Sequence, residues 1–237
     1  MHSSEPMTLT GTTSVFADEV AALNGSVTDR FDDGRRVYLR AVLKRCDEVR
    51  SGDRVQAGVA LRCVQRDVLI HPYVFRLLCR NGIIVRQVED VQCLAGLIGA
   101  PTIAASVILR DTVRACCAPE AFDLAARQMR AAVHVRADRL RATLDFFARF
   151  TWREGGRTFD RIRQRFNREG DDSAFGLMNA VTSVARDTDD PRLKWDLEEF
   201  GGAIAARCLP KPPTLRPASM RLRQNVDPAP PQVSSSQ

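Results

Sequence analysis

The fold of this chain is decided by the stretch GDRVQAGVALRCVQRDVLIHPYVFRLLCRNGIIV, residues 52–85. Apolar residues alternate with their neighbours from Val55 to Cys63, and the same period of two runs through residues 37–44 upstream. Strict alternation is typical of a strand in a sheet with one packed face and one open face. We therefore predict an antiparallel hairpin around the polar turn at residues 51–53, with arginines along its open face.

The second part of this stretch predicts a change of structure. Residues 68–70 suit a third strand, and Pro72 suits the first position of a helix, where the N–H that proline lacks is not needed. A short helix over residues 73–80 would end at Asn81 and Gly82, which together favour a left-handed cap. A further strand is predicted to follow this cap.

Farther along the chain, from about residue 99, apolar residues recur at steps of three and four. Such spacing gives each helix one apolar stripe. The predicted helices are a long one opened by Pro119, two shorter ones over residues 159–168 and 173–186, and a last one that starts at Asp190-Pro191. The predicted fold class is therefore α+β, with a small antiparallel sheet and a short helix over residues 35–88 and a helical half over residues 99–208.

We predict one folded domain over residues 15–208, between two irregular arms. Residues 1–14 are rich in Ser and Thr and lack periodicity, which predicts a flexible arm. Residues 209–237 hold seven of the twelve prolines and end in Ser-Ser-Ser-Gln. Because that composition buries too little apolar surface to fold, it predicts a disordered, basic, Pro-rich tail.

Arginine dominates the charge of the chain, with 32 Arg against 3 Lys and a formal net charge of +6. One explanation is the codon bias of a GC-rich genome. The other is a phosphate partner, because guanidinium binds phosphate through two hydrogen bonds and stacks on bases. The seven cysteines show no C-x-x-C spacing, and the first twenty residues are polar. These features favour a reduced, cytoplasmic protein with no membrane helix, and we expect neither a metal nor a cofactor.

Several short motifs, in a fixed order, carry a resemblance to a known family. They are Gly58, His71-Pro72-Tyr73, Arg76, Cys79, Asn81-Gly82, Asn179-Ala180-Val181-Thr182 and Gly201-Gly202. Over residues 35–208 the chain thereby resembles the bacterial phage/plasmid-like proteins that are filed as a domain of unknown function. Where that family shows Asn-Ser-Glu, this chain has Cys63-Val64-Gln65, so a ligand held there in relatives is not carried over.

The order of three strands and a helix also resembles that of single-strand annealing proteins, which bind DNA in the basic groove of an oligomeric ring. With the basic open face, this resemblance implies a non-enzymatic homo-oligomer that binds single-stranded DNA in recombination or repair. The residues expected to contact phosphates are Arg36, Arg40, Arg62, Arg76, Arg80, Arg161 and Arg165, and those expected to stack on bases are Tyr38 and Tyr73.

Two other function classes stay open. The first is a metal-dependent nuclease, which would need carboxylates from separate loops to converge on one site. The acidic pairs in predicted loops are Asp32-Asp33, Asp171-Asp172 and Asp189-Asp190, and their positions favour helix caps and solvated turns over a metal site. The second is a non-catalytic accessory protein that binds another protein through its helical half. The motif around Arg76 also has a purely structural interpretation, in which this arginine pairs with a carboxylate.

Overall fold

The computed structural model describes residues 5–85, 93–137 and 155–209. In these ranges α1 (Leu9–Ala22) is followed by β1 (Ser26–Asp32), β2 (Arg36–Arg50), β3 (Asp53–Val64), β4 (Asp67–Arg76), β5 (Asn81–Ile84) and β6 (Cys93–Leu94), and then by α2 (Thr102–Cys116), α3 (Pro119–Val133), α4 (Gly155–Glu169), α5 (Ala174–Arg186) and α6 (Pro191–Ala206). The predicted α+β class, a sheet followed by helices, is confirmed. The tail prediction falls on residues outside the described ranges, apart from residue 209.

All strand pairs of the sheet are antiparallel, in the order β1-β2-β3-β4-β5, with β6 beside β4. The long β2–β3 hairpin forms around the predicted turn and pairs Tyr38 with Arg62. The packed face predicted from the alternation is confirmed, because Val37, Leu39 and Ala41 are buried on one face of the sheet. The sequence did not predict β1, which is mostly exposed and pairs with β2 at the edge of the sheet.

The predicted short helix after Pro72 is wrong, because these residues continue β4 as far as Arg76. The Pro72 carbonyl accepts a hydrogen bond of 2.9 Å from Val85 N–H, just beyond the end of β5. Because N–H and C=O of a strand residue point to the same neighbour, the absent N–H of Pro72 leaves the ladder to β3 intact. Asn81 belongs to β5 rather than to a helix cap, and Arg80 before it takes the left-handed conformation with φ +51°.

Two motif glycines make room for the ring of Tyr73. A Cβ on Gly82 would lie 2.3 Å from this ring, and a Cβ on Gly58 would lie 2.2 Å from the Ala41 carbonyl oxygen and 3.1 Å from the ring. Tyr73 is consequently 4 % exposed. These positions require glycine because of close packing rather than because of a turn.

The predicted N-terminal arm is wrong for residues 5–14, which the structure places against the sheet layer. Met7 is buried, its N–H donates to Ala100 O at 2.7 Å, and Pro6 forms a β-bridge with Pro101. The Thr8 side chain caps α1 by accepting from Gly11 N–H at 2.9 Å. A Ser/Thr-rich segment is thus ordered because one apolar residue and one cap hold it in place.

The helical predictions are confirmed at several helix starts. Pro119 opens α3, and Asp190 caps α6 by accepting from the N–H groups of Arg192 and Leu193. α3 ends at Val133, and the rest of the predicted long helix falls largely on residues outside the described ranges.

Helices cover both faces of the sheet. On the first face, α1 and α2 enclose one apolar cluster around Phe16, Leu61 and Leu109. On the same face, α3, α5 and α6 enclose a second cluster around Phe175. On the other face, Trp195 of α6 packs with Tyr38, Ala60, Tyr73 and Ile84. Among the described residues, the fold therefore has one central sheet with a helical layer on one face and α6 across part of the other.

Candidate nucleic-acid interface

The sheet face predicted to be open is covered by α6. As the alternation predicts, Tyr38, Arg40 and Arg62 share one face, and Tyr73 of β4 lies on the same face. However, Trp195 of α6 lies across them, with its ring 6.0 Å from that of Tyr38. The expectation of an exposed basic sheet face is corrected, since the sequence alone does not show where a distant helix packs.

Arg40 is neutralised in the interior. It is 3 % exposed and donates to Glu198 of α6 at 2.6 Å and to Asp29 at 3.0 Å, while Lys194 also contacts Asp29. Tyr73 lies beside this group, and burial, followed by the charge of Glu198, raises its pKa well above the ordinary value. Neither Arg40 nor Tyr73 can reach a phosphate or a base in this structure.

The other predicted residues at this end of the sheet are also engaged with neighbours. Tyr38 is fully buried, and Arg62 lies 5.8 Å from its ring centroid and 4.0 Å from Asp196. Arg36 donates to Asp33 at 2.7 and 2.9 Å on the surface. Every arginine predicted on this face is thus paired with a carboxylate.

Arg76 lies on the opposite face of the sheet, where it is 1 % exposed. It donates to both oxygens of Asp53 and to the Asn179 side chain, and its guanidinium lies 4.9 Å from the ring of Phe175. Asn81 donates to Thr182 at 2.9 Å. Arg76 and Asn81 therefore connect β4 and β5 with α5. Of the structural interpretation, the pairing of Arg76 with a carboxylate agrees with the structure.

Arg161 and Arg165 of α4 meet Arg186 at Asp187, and Arg186 also contacts the β4–β5 turn that carries Arg80, a third predicted residue. Arg165 donates to the Asp187 carboxylate at 2.6 Å, and Arg161 lies 3.3 Å from the Asp187 carbonyl oxygen. Arg186 donates to the same carboxylate at 2.9 Å and to the carbonyl of Cys79, the residue before Arg80, at 2.8 Å. Arginines of α4 and of the end of α5 thus meet at Asp187, next to the turn that carries Arg80.

We define the α4–α5 arginine surface as Arg80, Arg157, Arg161, Arg165, Arg168 and Arg186. The four α4 members follow one another at steps of four, four and three, which places them on one helical stripe. Within the described residues, Arg80, Arg157 and Arg168 are exposed and form no ion pair. Arg161, Gln164, Arg165 and Arg168 line a concavity of about 270 Å³.

Asp187 is surrounded by this positive charge. The hydrogen bond from Arg186, together with the charges of Arg186, Arg165 and Arg161, lowers the pKa of its carboxyl below the ordinary value. Arg163 is on another side of α4, where it pairs with Asp160 at 3.1 Å. A surface with more guanidinium groups than carboxylates attracts polyanions such as a nucleic-acid backbone.

Sequence reasoning missed Arg186 and Asp187, which connect α4 with the β4–β5 turn. The spacing of Arg157, Arg161, Arg165 and Arg168 was available as a signal, but the contact of Arg186 with Cys79 spans 107 residues. No periodicity within one element could have shown that contact.

Comparisons with protein-family models, with curated proteins and with solved structures found no match for this chain. The two resemblances stated above therefore stay predictions. In the described ranges, no group of three or more His, Cys, Asp or Glu side chains is arranged to hold a metal ion. The same residues contain no helix with the length and apolar character needed to span a bilayer.

Proposed function

We propose that this protein is a non-catalytic nucleic-acid-binding protein that holds single strands through the α4–α5 arginine surface and acts in strand annealing. The observation that carries the proposal is the convergence of Arg161 and Arg165 of α4 with Arg186 of α5 around Asp187. The site differs from the sheet face expected from the sequence. Of the nine predicted residues, it retains Arg80, Arg161 and Arg165.

Chemistry supports a phosphate ligand at this surface. Arginine donates two parallel hydrogen bonds to phosphate oxygens, and its planar group stacks on bases without reading their sequence. The α4 stripe extends from Arg157 to Arg168, which is about 16 Å at 1.5 Å per residue. This length suits several successive phosphates of an extended strand, so backbone binding with little sequence preference is expected.

The test is the salt dependence of binding to a labelled single-stranded oligonucleotide, followed by fluorescence anisotropy. Arg161→Gln/Arg165→Gln should weaken binding at least about tenfold and reduce the slope of log K against log salt by about 1.4, for two phosphate contacts at about 0.7 each. Asp187→Asn should strengthen binding, because it removes the counter-charge from the same surface.

The matched control is Arg163→Gln, which removes one arginine from another side of the same helix. It should change the affinity much less than the double substitution. Because the control removes one positive charge and the double variant removes two, a control that loses half or more of the binding free energy lost by the double variant would show a response to net charge only and would reject this site. A duplex of the same length provides the second arm, and equal affinity for it would reject a single-strand function.

A further inference from the structure

The concavity on α4 is lined by side chains that donate hydrogen bonds. Among the described residues its wall consists of Arg161, Gln164, Arg165 and Arg168, at positions i, i+3, i+4 and i+7 of one helical face. Three guanidinium groups and one amide thus supply N–H donors, and no carboxylate lies in the wall. Its volume of about 270 Å³ is below the roughly 300–1,000 Å³ of pockets that enclose a small molecule, so it has room for a phosphate group rather than for a whole nucleotide.

Contacts outside the concavity hold two of these arginines in place. Arg165 donates to the Asp187 carboxylate and Arg161 to the Asp187 carbonyl, each through one terminal nitrogen. The other N–H groups of both guanidinium groups have no acceptor within the described residues. Arg168 is exposed and forms no ion pair in the same ranges. The wall is therefore partly pre-organised, and most of its donors are available to a ligand.

The positive charge at the concavity exceeds the charge of one carboxylate. The three arginines of the wall and Arg186 face a single carboxylate, that of Asp187. Like charges three or four residues apart on a helix repel each other, so the arginines of the wall destabilise one another until an anion lies between them. A dianion compensates this excess of positive charge better than a monoanion does.

The acidic residues of α4 itself do not compensate the excess. Asp160 pairs with Arg163 at 3.1 Å on another side of the helix. Glu169 is the last residue of α4, and neither it nor Asp160 belongs to the wall. The counter-charge of the concavity must therefore come from a ligand.

We infer that this concavity binds a phosphate monoester dianion, the group that ends a phosphorylated strand. The inference rests on the proposed function for the strand itself, whose further phosphates would continue along α4 toward Arg157. A phosphate monoester carries about −1.5 to −2 charges at pH 7, whereas each phosphodiester inside a strand carries about one. A free mononucleotide ends in the same group and is the other source of this ligand.

The test compares internally labelled oligothymidylates that are identical except for their ends, which carry a 5′-phosphate, a 3′-phosphate or hydroxyl groups only. Fluorescence anisotropy of the wild type should show at least about fivefold tighter binding of a phosphorylated strand at about pH 7.5, because the added charge strengthens the hydrogen bonds from the arginines. Arg168→Gln should remove most of this preference. The matched control is Arg157→Gln, an exposed position of the same stripe outside the concavity, which should weaken binding of all three strands by a similar factor.

The pH dependence of the preference separates the charge of the ligand from that of the protein. The second pKa of a phosphate monoester is about 6, so the preference should be largely lost as the pH falls from about 7.5 to about 5. The protein groups keep their charge in this range, because guanidinium groups stay protonated and the hydrogen bond from Arg186 lowers the pKa of Asp187 below its ordinary value. A preference of equal size at both pH values would contradict a dianion ligand.

Competition by thymidine 5′-monophosphate and by inorganic phosphate distinguishes the two sources. A phosphorylated strand should bind more tightly than the mononucleotide, because its further phosphates also contact the surface. Equal affinities would keep the monoester site and reassign it to free nucleotides. Equal binding of all three strands that still depends on Arg161 and Arg165 overturns the inference and leaves the proposed function intact. Mononucleotide binding that Arg168→Gln weakens, without binding of any strand, does the reverse, and a lack of binding to every probe overturns both.

Discussion

A guanidinium group in a protein interior is stable only when carboxylates and amides replace the water around it. Arg76 meets this condition through Asp53 and Asn179, which come from another strand and from α5. Arg50 extends the arrangement to the surface, where it lies 3.5 Å from Asp53 and 3.1 Å from Asp171. Arg76, which the sequence predicted to bind phosphate, instead connects the sheet to α5.

This connection predicts a large difference between two ion pairs of the same chain. Asp53→Ala leaves Arg76 charged and buried, so the free energy of unfolding should fall by about 3–5 kcal/mol. Asp123→Ala breaks the exposed pair with Arg45 and should cost less than about 1 kcal/mol. Urea titrations followed by circular dichroism measure both changes. Similar small losses for the two variants would contradict the structural role of Arg76.

Among the elements, the sequence predicted well those that depend on local patterns. The alternation in β2 and β3 and the start of α6 at Pro191 are local signals, and the structure confirms them. The prediction of a helix after Pro72 was wrong because residues 73–76 pair with β5, and this pairing depends on tertiary structure. The prediction of an open sheet face was wrong for the same reason, because α6 covers that face through contacts such as Glu198 with Arg40, 158 residues apart in the sequence.

The packing of α6 on the sheet predicts a pH dependence of stability. Burial raises the pKa of Asp196 from 3.8 to about 6, and the charge of Arg62 opposes this shift only in part. The folded state therefore binds this proton more tightly than the unfolded chain, and the contribution of Asp196 to stability falls as pH rises from about 4 to about 6. Above pH 6 the charged carboxyl lowers the free energy of unfolding relative to a neutral group.

Asp196→Asn should consequently be more stable than the wild type at pH 7, by about 1–2 kcal/mol. This free energy is smaller than the one that corresponds to the whole pKa shift, because the Asp196 side chain is 19 % exposed and solvent screens its charge. The advantage should disappear near pH 4, where the wild-type carboxyl is also protonated. Urea midpoints at the two pH values measure it, with Asp160→Asn on α4 as the exposed control. An advantage of equal size at both pH values would contradict the assigned cause.

At the scale of the whole molecule, one sheet supports the three apolar clusters that the described residues form. Two clusters lie on the same face, one under α1 and α2 and the other under α3, α5 and α6. The third contains Trp195 on the opposite face. Because β2, β3 and β4 contribute residues to all three clusters, loss of one cluster exposes strands on which the others depend. Residues 5–85, 93–137 and 155–209 should therefore unfold together.

The last prediction tests this coupling with two variants that are far apart in sequence. Phe16→Ala in α1 and Phe175→Ala in α5 each remove a fully buried ring and should cost about 3–5 kcal/mol. In a Trp152→Phe background, the fluorescence of Trp195 reports on the third cluster, because the sequence has two tryptophans. Both variants should shift one transition that is identical by Trp195 fluorescence and by far-ultraviolet circular dichroism. Leu78→Ala, at an exposed position, should leave the transition nearly unchanged. A Phe16→Ala curve with two steps, or one in which the Trp195 signal keeps its wild-type midpoint, would show that the α1–α2 layer unfolds independently of α6.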